Sequence, residues 1–467
     1  MEPEQGSYRF IALVVASIFF MALLDGVIIN TALPQMAASF GVQPVELSIG
    51  VTIYMLTVAM FMPLSGWAAD RFGARRIFLL AILLFTLASV ACAAASSLSQ
   101  FALARAVQGI GGGMMIPIGR LIVLGQARKS ELLQATALIT WPALFAPVIG
   151  PVIGGFITEY ASWRWNFLLN IPLGAIGLVL VALVVPEQAG RRDRVLDLRG
   201  FLLTASALGM LLFGLELSAH AQREWRLPVG LVAAGMACGA LAIRHLKRAA
   251  NPLLDLSPFG VQTFAAASLM AGTYIQVAIA ATPFLLPLLF QLVFGLNAFE
   301  AGGLLFIYFA GNLLMKTVTT PVLRRFGFRA VLSCNGMLVG LSIACCALLE
   351  REASQAFIAI VLFLAGATRS MQFTAINTIA YADINSAQRS SASTLAAMVQ
   401  QTGMMVGVAL ATFLLNGNNW LRAGSGVGQQ DFRAAFIILG TMAVIASMRF
   451  LKLPADAGAE ITGRAGN

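Results

Sequence analysis

Gly66-Trp67-Ala68-Ala69-Asp70-Arg71-Phe72-Gly73-Ala74-Arg75-Arg76 interrupts two long apolar runs, residues 48–67 and 77–95. Each run is long enough to cross a hydrocarbon core of ~30 Å as a helix that rises ~1.5 Å per residue. A charged connection this short joins two membrane helices on one side of the bilayer. One acid against three arginines marks that side as cytoplasmic, where membrane proteins concentrate Lys and Arg.

The same pattern recurs along the whole chain. Of 467 residues, 59% are hydrophobic and 11% charged, with a mean hydropathy of +0.85. No soluble domain is composed this way. We read fourteen spans, near 10–32, 48–67, 77–95, 101–124, 133–157, 163–185, 199–217, 226–246, 262–290, 301–322, 330–349, 356–381, 391–415 and 433–451. Residues 1–7 lack a basic n-region, so the first run is expected to remain as a helix. The net charge of +10 lies mostly in connections on the side of the N-terminus. That distribution sets topology, puts both termini in the cytoplasm and, with few aromatics among the basic residues, excludes nucleic-acid binding. Cys92, Cys238, Cys334, Cys345 and Cys346 fall within apolar runs without a ligand spacing and read as small buried residues. No metal site is expected. The two histidines, His220 and His245, both lie at span ends, which excludes a buried histidine relay.

The chain is duplicated. Arg71-Phe72-Gly73-Ala74-Arg75 returns as Arg325-Phe326-Gly327-Phe328-Arg329, and Arg105-x-x-Gln108 as Arg369-x-x-Gln372, in the same order and at matching spans. Such internal repeats are typical of transporters that rock one half against the other. Arg324 stands where Asp70 stands in the first copy, so whatever the acid does is done once. The expected organisation is an N-terminal six-helix bundle (1–185), a cytoplasmic linker with two inserted membrane helices (186–250), a C-terminal six-helix bundle (251–455) and a cytoplasmic tail (456–467).

Several segments carry a family resemblance. The opening stretch resembles the G-x-L-a-D-r-x-G-r-R/K loop of the major facilitator superfamily through Gly66, Asp70, Arg71, Gly73 and Arg75. Leu24-Asp25-Gly26-Val27-Ile28-Ile29-Asn30-Thr31-Ala32-Leu33-Pro34 is similar to a signature of its fourteen-span drug:proton antiporters, with Gly26 where Thr is usual. Leu103 to Gly113 resembles the family's R-x-x-Q-G-x-G segment. Ala146-Pro147-Val148-Ile149-Gly150-Pro151-Val152-Ile153-Gly154-Gly155 resembles its antiporter helix, with Ala146 for the first Gly. Trp163-Arg164-Trp165-Asn166-Phe167 leading to Asn170 and Pro172 completes the set. All lie in the N-terminal half, and the whole chain resembles MdtD-type multidrug exporters.

The resemblance implies an all-α major facilitator fold and an exporter in a bacterial inner membrane, driven by the proton gradient without a cofactor. It also implies a monomer that binds small amphipathic molecules and exchanges them for protons. Asp70, Arg71 and Arg75, with Gly66 and Gly73, would form a cytoplasmic gate. Pro147, Gly150, Pro151, Gly154 and Gly155 would seal the two bundles, and the tryptophans would anchor at the interface.

Residue chemistry adds its own expectations. Asp25 is an acid well inside a span, where a bare charge is costly. By helical rise it lies ~10 Å deep and Arg105 ~6 Å, so the two can pair, Arg105 tuning an acid that carries the proton. Asn30, Gln108, Arg120, Gln276, Lys316, Arg369 and Gln372 are candidate cavity residues. Lys316 and Arg369 fall ~22 and ~20 Å into their spans. With Arg105 and Arg120 they make four inward cations against one firm anion. This leaves open an exporter of an anionic metabolite such as an organic acid. An importer of the same fold fits the antiporter-like helix less well. No nucleophile–base pair or ligand cluster supports an enzyme.

Overall fold

The computed structural model describes all residues except 1–6, 127–131, 188–189, 191–194, 221–225, 250–251, 386–387, 422–426, 455 and 459–467. Arg191, Arg192 and Arg194 of the linker, the boundary at 250–251 and most of the tail thus lie outside the described residues. Those that are described form helices and no strand. The long helices are α1 (Ser7–Phe40), α2 (Ser48–Phe72), α3 (Ala74–Ala94), α4 (Leu98–Gln126), α5 (Leu132–Tyr160), α6 (Asn170–Val184), α7 (Leu198–His220) and α8 (Arg226–Leu246). They continue as α9 (Ala271–Leu288), α10 (Ala298–Phe326), α11 (Phe328–Cys345), α12 (Gln355–Ile379), α13 (Arg389–Leu421) and α14 (Gln429–Met448).

Among the described residues, thirteen helices are long and apolar enough to cross a membrane. α5 is also 29 residues long, its described apolar part being Phe145–Tyr160. In hydrocarbon the backbone must satisfy itself, which selects helices, and they tolerate internal Pro34, Pro63, Pro117, Pro283, Pro287 and Pro321. Large apolar side chains such as Leu103, Leu183 and Ile360 face outward, as a lipid solvent requires. The chain is a multi-pass membrane protein.

Two compact units emerge, Met1–Leu211 with Ala234–Leu253, and Leu212–Ala233 with Leu254–Asn467. Each unit repeats one packing scheme. In the first, α1 packs on α5, α2 on α4, and α3 on α4 and α6; in the second, α9 packs on α13, α10 on α12, and α11 on α12 and α14. The duplicated loops share a device as well. Gly73 (φ 92°) and Gly327 (φ 78°) end α2 and α10 in backbone conformations that side chains avoid, and their N–H groups donate to Ala69 O and Leu323 O.

The inserted helices differ between themselves. α8 is mostly exposed, whereas Glu216 of α7 is 1% exposed. The start of α7 and the end of α8 meet at Asp197, which accepts from Gly200 N, Leu253 N and His245 Nε2, the last at 2.8 Å. Two cysteines depart from expectation, since Cys334 and Cys345 are exposed on α11. Residues of an apolar run need not be buried when one helix face meets lipid.

Candidate functional site

The first unit encloses a polar network inside an apolar bundle. Asp25 on α1 is 1% exposed, and its Oδ2 accepts from Arg105 Nη1 on α4 at 2.7 Å. Its Oδ1 accepts from Gln108 Nε2 at 3.0 Å and from Asn170 Nδ2, on α6, at 2.7 Å. Ser89 on α3 accepts from the same two amides, at 2.8 and 3.1 Å. Arg105 Nη1 also donates to Gln108 Oε1 at 2.6 Å, while its Nε reaches Gly50 O at 3.4 Å. The guanidinium lies 4.1 Å from the Tyr54 ring centre, a cation–π contact. One ion pair therefore ties together five helices, α1, α2, α3, α4 and α6.

The glycine run that follows Arg105 makes this closeness possible. A Cβ at Gly109 or Gly113 would lie 2.6 Å from Tyr54 O or 2.7 Å from Val58 O on α2, and one at Gly111 2.8 Å from Ala81 O on α3. Small residues let membrane helices approach to backbone contact. α4 is thereby pressed onto both neighbours, and Arg105 is carried into the centre.

The structure revises several expected placements. Gln108 and Gln372 are both 0% exposed and tie helices together within their own units. Gln372 Nε2 donates to Leu332 O and its Oε1 accepts from Asn335 on α11, so neither glutamine lines a cavity in this conformation. Arg120 is exposed, because depth along a helix does not say which face a residue occupies. Together with buried Glu216 and Asp431, this overturns the tally of four inward cations against one anion. Trp163 does not float at the interface: it is 2% exposed, its indole N–H donates to Ser39 Oγ and its ring meets Phe40 and Phe167, while Trp165 is outside.

On α5 the glycines Gly150 and Gly154 face α1 of the same unit. A Cβ at Gly154 would sit 2.4 Å from Ile28 Cγ1 and 2.7 Å from Ile28 O. Ala146, Leu24 and Ile28 form one apolar cluster there. Their described packing is thus within one bundle. Asn30 and Gln276 are mostly buried, at 9% and 7%, and Gln276 Oε1 has no hydrogen-bond partner. Lys316 and Arg369 are half-buried.

The Gly66–Arg76 loop is pinned to its own unit. Arg75 donates to Ala182 O at the end of α6, Arg76 pairs with Glu187 at 2.6 Å, and Gly190 packs on the Arg71 carbonyl. Ser89, Asn170, Tyr54 and the Gly50 carbonyl are the members that sequence reasoning missed. Asn170 stood inside a quoted motif, but Ser89 has no motif to mark it.

Residues 15–306 and 263–466 match the Major Facilitator Superfamily. The chain belongs to that superfamily. Its overlapping matches cover both repeats of the facilitator fold. It is 36% identical over 456 residues to the "Putative multidrug resistance protein MdtD" of Escherichia coli O6:H1, covering 96% of each chain. It is 34% identical over 453 residues to the "Probable transport protein HsrA" of Haemophilus influenzae, covering 97% of each. Among solved facilitator structures, the POT family transporter PepTSo aligns with a TM-score of 0.70 at 14% identity, over 99% of each chain. A D-xylose-proton symporter aligns at 0.69 and 16%, over 96% of this chain and 98% of that one. At such identities the likeness is one of fold.

Proposed function

We propose that this facilitator is a proton-coupled exporter of small amphipathic molecules, in the inner membrane with both termini cytoplasmic, working by alternating access. The observation that carries the reading is the buried Asp25–Arg105 pair with its three amide and guanidinium donors. While the pair is closed, Arg105 supplies the counter-charge. If α1 moves against α4 and the contact lengthens, a carboxylate is left in hydrocarbon, and a proton is the partner that neutralises it. Arg105 keeps its own proton throughout, so it gates the acid without carrying the proton. Proton uptake is thereby bound to a helix movement, as antiport demands.

Likeness to a named multidrug resistance protein over nearly the full length supports the export direction and an amphipathic substrate. The Gly66–Arg76 loop serves as the cytoplasmic gate element, its Arg75 tying α2–α3 motion to the end of α6. The test is a proton count. Proteoliposomes loaded with a pH-sensitive dye should show proton movement opposite to substrate when a neutral amphipathic dye substrate is added. Substrate flux without proton flux would reject coupling.

A further inference from the structure

Arg369 is the counterpart of Arg105 in the second repeat, and its surroundings are reversed. Arg105 is closed against a carboxylate. Among the described residues Arg369 forms no ion pair, and its Nε and Nη1 are buried without a hydrogen-bond partner. The guanidinium lies 5.7 and 5.6 Å from the ring centres of Tyr308 and Phe309 on α10. Ring faces offset only part of what unsatisfied charged donors cost.

Lys316, about two turns along α10 from Tyr308, is a second cation within electrostatic reach of Arg369. It too forms no ion pair among the described residues. The two helices that carry these cations are locked together at this level. A Cβ at Gly366 would fall 1.8 Å from Tyr308 O, and one at Gly311 2.2 Å from Phe363 O. The positive charges are therefore held on one rigid helix pair. Such a field favours an anion and penalises a cation.

We propose that Arg369 and Lys316 form a binding site for a carboxylate-bearing organic anion. The guanidinium takes the carboxylate through a two-nitrogen edge, each edge including one of the unpartnered nitrogens, and Lys316 answers the second charge of a dianion. The site names the substrate class for the transport reading and rests on that reading for movement, though not for binding.

Calorimetry on the purified full chain in nanodiscs tests this, with succinate and benzoate as probes. Saturable succinate binding is expected. Arg369→Gln should weaken it by about ten- to a hundredfold, the loss of charge-assisted hydrogen bonds. Lys316→Gln should weaken succinate more than benzoate. Arg369→Lys, which keeps the charge and loses the fork, should fall between wild type and Arg369→Gln and guards against a folding defect. No saturable binding of either anion, or unchanged affinity in Arg369→Gln, overturns the site. Efflux of a neutral amphipathic dye from proteoliposomes of the same preparation separates the two readings. Efflux with no anion binding rejects this site alone, and anion binding with no flux of any probe rejects transport alone.

Discussion

Arg105 Nη1 stands 2.7 Å from Asp25 Oδ2 with neither side chain more than 1% exposed. Gln108 bonds both, accepting from the one and donating to the other. Removing one partner of such a pair strands the other charge, at a cost of about 3–5 kcal/mol. Arg105→Gln should therefore lower the thermal unfolding midpoint sharply. The double variant Asp25→Asn with Arg105→Gln should be more stable than the sum of its singles, as coupled neighbours are. Additive losses would mean that the two residues do not act as a pair.

Gly154 meets α1 at Ile28, and the remedy for a clash there is movement of a whole helix. Gly154→Val should destabilise the fold by about 1–3 kcal/mol, the range for overpacking. Gly150→Ala, whose Cβ meets Leu24 Cδ1 at 3.3 Å, should be tolerated. Unfolding midpoints in detergent would distinguish them, and equal effects would contradict the assigned packing.

The matched turns at Gly73 and Gly327 give a third expectation. At positive φ of 92° and 78°, each Gly→Ala change should cost about 1–3 kcal/mol in backbone strain. Similar losses at both sites, read from unfolding midpoints, would confirm that the repeats share one turn geometry.

Asp197, outside the membrane spans, supplies a pH dependence. Burial works to raise its carboxyl, but hydrogen bonds from Gly200 N, His245 and Leu253 N, with the His245 charge, hold it below its ordinary 3.8. A lowered carboxyl adds stability that is present above that ordinary value and lost as pH falls through the folded one. The melting midpoint of wild type should thus drop more steeply than that of Asp197→Asn as pH falls below about 4. Parallel curves would show that the contact contributes nothing.

Much of this was legible along the chain because the bilayer demands long apolar helices and marks their cytoplasmic turns with arginine. The Asp25–Arg105 pair could be reached from depth alone, since both residues sit at similar heights in two spans of the same half. Facing could not. Arg120 turned outward and Gln108 and Gln372 turned into helix contacts, because height along a helix leaves its rotation undetermined. Ser89 joined the network through tertiary position alone. The charge contrast between Arg105 and Arg369 was visible in sequence as a missing acid, but the unpartnered nitrogens of Arg369 emerged only with the packing of α10 on α12.

Whether Asp25 couples protons to export is read from transport by Asp25→Asn. The amide retains the shape of the carboxyl but cannot load and release a proton. In proteoliposomes with an imposed pH gradient, wild type should concentrate a neutral amphipathic dye substrate against its gradient. The variant should lose that accumulation while retaining gradient-independent exchange. Accumulation by Asp25→Asn at the wild-type level would rule out Asp25 as the coupling acid.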